Sequence, residues 1–152
     1  MMRIASLSLA CGLALGLFAT HPVEAQEAFA GSWTVSKADP APWAEAAPKP
    51  DAEMRGLVGK TVTFLKTRID APKPLGCSKL KYEIKSYTAD MLFQGGLTKD
   101  PESQASALGF HASPIKTLET GCGNELDFHM TDAGTILFGL NDRIYTLARK
   151  KP

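Results

Sequence analysis

Residues 126–149 read LDFHMTDAGTILFGLNDRIYTLAR, which is three strand-like runs separated by two short polar turns. In the first run, apolar Leu126, Phe128 and Met130 alternate with polar residues, as in a strand with one buried face. The turns Asp132-Ala133-Gly134 and Asn141-Asp142 carry the Gly and Asx residues that tight connections favour. The stretch therefore predicts an antiparallel meander at the end of the chain.

The same period-2 alternation predicts further strands upstream. They cover Phe29–Lys37, Thr61–Ile69, Lys79–Lys85 and Ile115–Thr120. Many short strands with little helix are typical of an all-β barrel or sandwich. Because closure removes exposed strand edges, we expect a small antiparallel up-and-down barrel of six to eight strands with one disulfide.

Three segments interrupt the strand pattern. The proline-rich residues 40–50 cannot join a central sheet, so we expect them to cross the surface before a short helical turn at Ala52–Leu57. The longest stretch without a strand, Ala89–Pro114, contains a further helical turn near Ser103–Leu108. A segment of this length is either a functional loop or an element that periodicity does not reveal.

The N-terminus has the three parts of a cleaved signal peptide. Arg3 precedes an apolar run from Ile4 to Ala19, and Val23-Glu24-Ala25 ends in the small-x-small pattern of a cleavage site. We therefore expect residues 1–25 to be removed and residues 26–152 to form a single periplasmic or secreted domain. No later stretch reaches the ~18 apolar residues of a membrane span.

Cysteine usage agrees with export. Of the three cysteines, Cys11 leaves with the signal, so Cys77 and Cys122 remain as a pair in an oxidising compartment. We predict a structural disulfide between them. Closing a loop of about 46 residues stabilises the fold by roughly 4 kcal/mol on the chain-entropy model.

Charge and motifs exclude several function classes. The chain has 17 basic and 16 acidic residues and no long basic cluster, so nothing favours nucleic-acid binding. Gly59-Lys60-Thr61 lacks the rest of a phosphate-binding loop, and no hydrolase or zinc-binding motif occurs. We predict no catalytic residues, metal or cofactor.

Asp127 and His129 share one strand face and are interpreted as a solvated exterior pair.

The start of the mature chain resembles the lipocalin family. Gly31-Ser32-Trp33 opens the first strand as the G-x-W element does in lipocalins and other calycin-like barrels. The resemblance implies that a basic residue near the end of the last strand, Arg149 or else Arg143, covers Trp33 and closes the barrel. It also implies an up-and-down barrel with a ligand-binding mouth. The same start is similar to small periplasmic inhibitors of secreted metalloproteases.

Five residues are candidates for ligand or partner contact. Trp43 stands among prolines, where it either caps a barrel mouth or forms part of a recognition surface. Apolar side chains beside glycines form a second group, which either tucks inward or makes an exposed contact loop. That group consists of Leu92, Phe93, Gly95 and Gly96.

Two functions fit these observations. The first is a non-catalytic periplasmic or secreted binding protein that holds a small apolar or amphipathic ligand in a lipocalin-like barrel. The alternative is an inhibitor of an extracytoplasmic hydrolase, such as a protease or lysozyme, which acts through a rigid surface loop. A third class, a hydrolytic enzyme, requires a deep pocket that gathers His111 or His129 with carboxylates.

Overall fold

The computed structural model describes residues 27–151 and is mostly β-structure. The expected signal peptide and its cleavage site after Ala25 lie outside the described residues. Eight strands follow one another: β1 (Gly31–Pro40), β2 (Thr61–Phe64), β3 (Ile69–Asp70), β4 (Glu83–Tyr87), β5 (Ile115–Glu119), β6 (Asp127–Asp132), β7 (Thr135–Leu140) and β8 (Arg143–Arg149). The helices are α1 (Ala52–Leu57), α2 (Pro101–Ala107) and a kinked 3-10 segment at Ala89–Gly95.

All eight strands belong to one antiparallel sheet in the order β3-β2-β1-β8-β7-β6-β5-β4. The first strand pairs with the last, for example Val35 with Leu147, and this pairing curls the sheet. The predicted all-β, antiparallel up-and-down architecture is confirmed. The sheet forms a half-barrel rather than a closed barrel, because its two edge strands, β3 and β4, do not pair with each other. We call the gap between these edge strands the seam.

The predicted disulfide is confirmed, and it bridges the seam. Cys122 follows β5, whereas Cys77 pairs with Ile69 of β3 through two backbone hydrogen bonds of 2.8 and 3.0 Å. The chain beyond Cys77 also reaches the β5 side, where the Lys81 N–H donates to the Thr120 carbonyl at 3.0 Å. A covalent bond therefore connects the two sides of the sheet where strand pairing does not.

The inner face of the sheet holds a packed aromatic core. Phe64 of β2 meets Phe128 of β6 edge to face at 4.9 Å, which shows that opposite walls of the half-barrel touch. Phe138 stacks on Tyr145 at 5.1 Å and lies 5.4 Å from Phe128. Trp33 is fully buried in the same core. We call this group the inner core.

A second apolar cluster covers the outer face of the sheet. The connection between β4 and β5, residues 88–114, folds back so that Leu92 and Phe110 pack with Leu137 and Ile144. Because side chains alternate along a strand, Leu137 faces outward while Phe138 faces the inner core. We call residues 88–114 the cover segment and this group the outer cluster. The long stretch without predicted strands is therefore a packed layer that includes α2.

Two strand predictions were too long. The predicted strand 61–69 is divided into β2 and β3 by a turn closed by the Leu65 N–H and the Arg68 carbonyl at 2.9 Å. The alternating run 79–85 enters the sheet only at Glu83. Its first residues instead run beside the disulfide, so alternation there reflects one-sided burial without strand pairing.

The proline-rich segment crosses the surface as expected, and Arg143 anchors it. The buried Arg143 side chain donates to the carbonyls of Pro48 and Lys49, and it lies 3.6 Å from the Asp51 carboxylate. A helix of the length and apolar character needed to cross a membrane does not occur in residues 27–151.

Candidate functional site

Trp33 and Arg149 form one end of the half-barrel. The Arg149 guanidinium carbon lies 4.1 Å from the Trp33 ring centre, a cation-π contact. The guanidinium also donates to the carbonyls of Ala28, Ala30 and Ala133. Arg149, rather than Arg143, therefore covers the tryptophan. Gly31 adopts φ +102°, which lets the chain enter β1 beside this arginine.

The largest set of candidate residues meets on the outer face, between the sheet and the cover segment. A cavity of about 340 Å³ lies there, and we call it the outer cavity. Two aromatic rings, two glycines, amides and one carboxylate dominate its lining. The lining residues are Trp43, Phe93, Gln94, Gly96, Asn124, Leu126, Asp127, His129, Gly139, Leu140 and Asn141.

His129 is not solvated, so its interpretation as half of an exterior pair was wrong. Its side chain is fully buried beneath the cover segment. Nε2 accepts the Phe93 backbone N–H at 3.2 Å, and Nδ1 lies 2.9 Å from the Thr117 hydroxyl. With Nε2 as acceptor, the ring proton sits on Nδ1 and the imidazole is neutral. Burial lowers the pKa of His129 to about 3.

Phe93 and Gln94 adopt left-handed backbone conformations, with φ of 51° and 58°. Such conformations cost non-glycine residues roughly 1–3 kcal/mol each and persist only where their surroundings hold them. Here the Phe93 N–H bonds to His129, and Gln94 Nε2 donates to the Glu125 carbonyl at 2.7 Å. The buried histidine therefore fixes the turn that presents Phe93 and Gln94 to the outer cavity.

Trp43 is held in a fixed position at the cavity wall. Its indole N–H donates to the Asn141 carbonyl at 2.9 Å, and its ring lies 5.5 Å from the Phe93 ring. A Cβ atom added to Gly96 would lie 2.7 Å from Trp43 Cε3, and one added to Gly139 would lie 3.1 Å from Trp43 Cη2. The absence of side chains at both glycines is what admits the indole ring.

The acidic groups nearby make the outer cavity electronegative. Asp127 is half-buried, and burial, followed by the charge of Glu119, raises its pKa to about 6. The Tyr87 hydroxyl donates to Glu119 Oε1 at 2.8 Å. Glu125 raises the pKa of Asp127 further. In residues 27–151 no three His, Cys, Asp or Glu side chains are arranged to hold a metal ion.

A second cavity lies at the seam and has a more apolar lining. It measures about 290 Å³, and we call it the seam cavity. Residues from both sides of the seam and from the segment before β1 contribute to it: Glu27, Phe29, Ala30, Phe64, Leu65, Lys66, Tyr82 and Leu118. The Tyr82 hydroxyl oxygen is buried and has no hydrogen-bond partner within the described part of the chain.

The five predicted contact residues are divided between two environments. Trp43, Phe93 and Gly96 line the outer cavity. Leu92 is fully buried in the outer cluster, and Gly95 forms part of the turn with φ +78°. Sequence reasoning missed Asp127, His129 and Tyr82 as cavity residues. The signal for His129 was weak, because alternation assigns it to the face opposite Phe128 without showing that another layer covers that face.

Comparisons of the chain with family models, with curated proteins and with solved structures gave no match.

Proposed function

We propose that this protein is a non-catalytic, extracytoplasmic binding protein that holds a small amphipathic ligand in the seam cavity, in the manner of a lipocalin-like barrel. Three observations support the proposal. They are the signal-like N-terminus, the G-x-W start, and a cavity that lies where the edge strands of the sheet are unpaired. Its volume is at the lower end of the roughly 300–1,000 Å³ typical of ligand sites, which favours a small ligand.

The lining of the seam cavity favours an apolar ligand body. Phe29, Phe64 and Leu118 are buried residues whose side chains border the space, and Leu65 lies beside them. Apolar surface removed from water contributes about 25 cal/mol per Å². An alkyl or aryl group that fills this space would therefore gain most of its binding free energy from these walls.

The observation that carries the proposal is the unpartnered hydroxyl of Tyr82, a residue that lines the seam cavity. Its oxygen has almost no accessible surface, so we expect the ring to shift towards the cavity when a ligand binds. Leaving a buried donor without a partner costs roughly 1–3 kcal/mol. Burial raises the pKa of this phenol, so the group stays neutral and keeps its proton to donate. A ligand oxygen that accepts this proton would remove the cost, which is why we expect a polar atom on the apolar ligand.

We favour this function over the inhibitor because the proposed contact loop is not exposed. Leu92 is fully buried and Phe93 is only 8% exposed. Met91 is the one large apolar side chain recorded as exposed among residues 27–151. Because Met91 lies in this same loop, an interface built there would have one apolar anchor rather than the cluster of anchors on which tight protein binding depends.

The test uses two probes, octanoic acid and 1-octanol, which share an apolar stem and differ in their polar head. We expect chemical-shift changes at amides around the seam cavity when either compound is titrated into the wild-type protein. Tyr82→Phe should weaken binding about 2- to 10-fold, the value of one hydrogen bond, without lowering stability. Tyr87→Phe removes a hydroxyl outside the cavity and should leave affinity unchanged.

Native extraction followed by mass spectrometry complements the titration, since a ligand bound during expression would be released on denaturation. The proposal fails if neither probe perturbs the seam cavity. It also fails if Tyr82→Phe binds as tightly as the wild type.

A further inference from the structure

We propose that the outer cavity is a second binding site, separate from the seam cavity, and that it takes an organic cation consisting of an ammonium group on an apolar stem. The inference is independent of the proposed function, because the outer cavity and the seam cavity share no lining residue. It is drawn from the hydrogen-bonding groups, charges and aromatic walls of the outer cavity.

The amide side chains around the cavity offer acceptors rather than donors. Gln94 Nε2 donates to the Glu125 carbonyl, and Asn141 Nδ2 donates to both carboxylate oxygens of Glu53 at 3.1 Å. Because both acceptors are oxygens, the orientation of each amide is fixed. The amide oxygens of Gln94 and Asn141 then have no partner in the described part of the chain. A ligand rich in N–H donors matches them.

The carboxylates at the cavity form no salt bridge among residues 27–151. Asp127 lines the outer cavity, and an adjoining depression that shares Asp127 and Gln94 is lined by Glu119 and Glu125. Each salt bridge found in residues 27–151 involves other acidic groups. The charge of Glu119 acts on Lys85 of β4, but Asp127 and Glu125 have no basic partner among these bridges, so the three carboxylates leave a negative potential that attracts a cation and repels an anion.

The aromatic walls suit the apolar stem and the charge together. Ring faces of tryptophan and phenylalanine attract cations, and Trp43 and Phe93 lie 5.5 Å apart with their planes tilted by 43°. Both rings are held before any ligand arrives. The indole N–H of Trp43 bonds to Asn141, and the Phe93 ring packs edge to face against the His129 ring at 4.8 Å. A preorganised wall loses little entropy on binding.

The test compares three compounds of one shape at pH 8: phenethylamine, 2-phenylethanol and phenylacetate. Trp43 is the reporter, because the chain has two tryptophans and Trp33 is fully buried. We expect phenethylamine alone to change the fluorescence, and Trp43→Phe to abolish the change. The comparison of the three compounds needs only the wild-type protein, so that result does not depend on how Trp43→Phe folds.

Substitutions then test whether the Asp127 carboxylate binds the ammonium group. Asp127→Asn should weaken phenethylamine binding about tenfold or more, since a hydrogen bond to a charged group is lost. Asp70→Asn, at an exposed carboxylate on β3, is the matched control and should bind as the wild type does. Tyr82→Phe should also leave amine binding unchanged, which separates this site from the seam cavity.

One further arm distinguishes the source of the cation. N-acetyl-lysine amide presents the ammonium group as a protein side chain does, whereas phenethylamine presents it as a free metabolite-like amine. Tighter binding of the lysine derivative would assign the site to a partner protein's side chain, and tighter binding of phenethylamine to a small amine. Equal binding of the amine, the alcohol and the acid would overturn the proposal, as would an unchanged affinity in Asp127→Asn.

Discussion

His129 Nε2 accepts the backbone N–H of Phe93 at 3.2 Å, and this bond joins the sheet to the cover segment across 36 positions of sequence. The bond requires a neutral imidazole. Protonation would replace the acceptor with a second donor facing the Phe93 N–H, inside an apolar layer. The outer layer of this fold is therefore tied to the protonation state of one buried side chain.

Acid should destabilise the protein through His129. Its pKa is lowered from 6.5 to about 3, so the unfolded chain binds an extra proton between these values. The contribution of His129 to stability is full above pH 6.5 and is lost as the pH falls towards 3, at up to roughly 1.4 kcal/mol per unit. Urea unfolding at several pH values measures this slope, which His129→Gln should flatten.

His111→Gln, at an exposed site, is the control and should keep the wild-type slope. Equal slopes in all three proteins would contradict the assignment of the pH dependence to His129.

Acid should have the opposite effect on stability through Asp127. Its pKa is raised from 3.8 to about 6, so the folded state binds the extra proton and stability falls as the pH rises through this window. Asp127→Asn should therefore raise the free energy of unfolding at pH 8, by up to about 1 kcal/mol because solvent screens the half-exposed group. At pH 3.5, where the wild-type carboxyl is protonated in both states, the gain should vanish. A variant less stable than the wild type at pH 8 would show that the hydrogen bond from Tyr87 to Asp127 outweighs the cost of burying the charge.

Loss of the seam disulfide should cost the largest single amount of stability. Replacing Cys77 and Cys122 by serine frees a loop of about 46 residues in the unfolded chain, which corresponds to roughly 4 kcal/mol. Urea unfolding of the double variant gives this difference, and reduced wild-type protein should match it. Native protein recovered from an oxidising compartment should show no free thiol by mass after alkylation. Two alkylated cysteines in that sample would contradict the pairing.

Gly96→Ala should disturb the wall of the outer cavity. The added methyl would stand 2.7 Å from Trp43 Cε3, so the ring or the turn must move, at a cost of about 1–3 kcal/mol. Gly123→Ala is the control, because a Cβ there meets nothing within 4 Å. Combining Gly96→Ala with Trp43→Phe should recover part of the loss, which a double-mutant cycle of unfolding free energies measures. Strict additivity would mean that the two residues do not touch.

The meander at the end of the chain was predictable because its signals are local. Asp132-Ala133-Gly134 and Asn141-Asp142 mark the turns, and β7 and β8 begin and end where the sequence predicts. The disulfide followed from counting cysteines in a chain that the sequence predicts to be exported. Helices α1 and α2 were predicted to within about two residues, a normal error for helix ends.

The burial of His129 was not predictable, because its cover comes from residues about 20 to 40 positions upstream. A period-2 pattern assigns His129 to the face opposite Phe128 but does not say whether another layer covers that face. Trp43, Phe93 and Gly96 were singled out from the sequence as candidate contact residues, and only the tertiary fold brings them to one cavity. The sequence shows only that Tyr82 lies in an alternating run. Whether its hydroxyl has a hydrogen-bond partner depends on residues that the fold brings next to it.

The central position of β8 has a consequence for how this chain tolerates change. Five consecutive residues, Arg143–Leu147, are buried, because the inner core covers one side of the strand and the outer cluster and proline-rich segment cover the other. Neither set of alternating positions in this stretch faces solvent, so neither can change without affecting a packed layer. In a saturation library screened for folding, this pentapeptide should accept the fewest replacements, and in relatives of the protein it should drift most slowly.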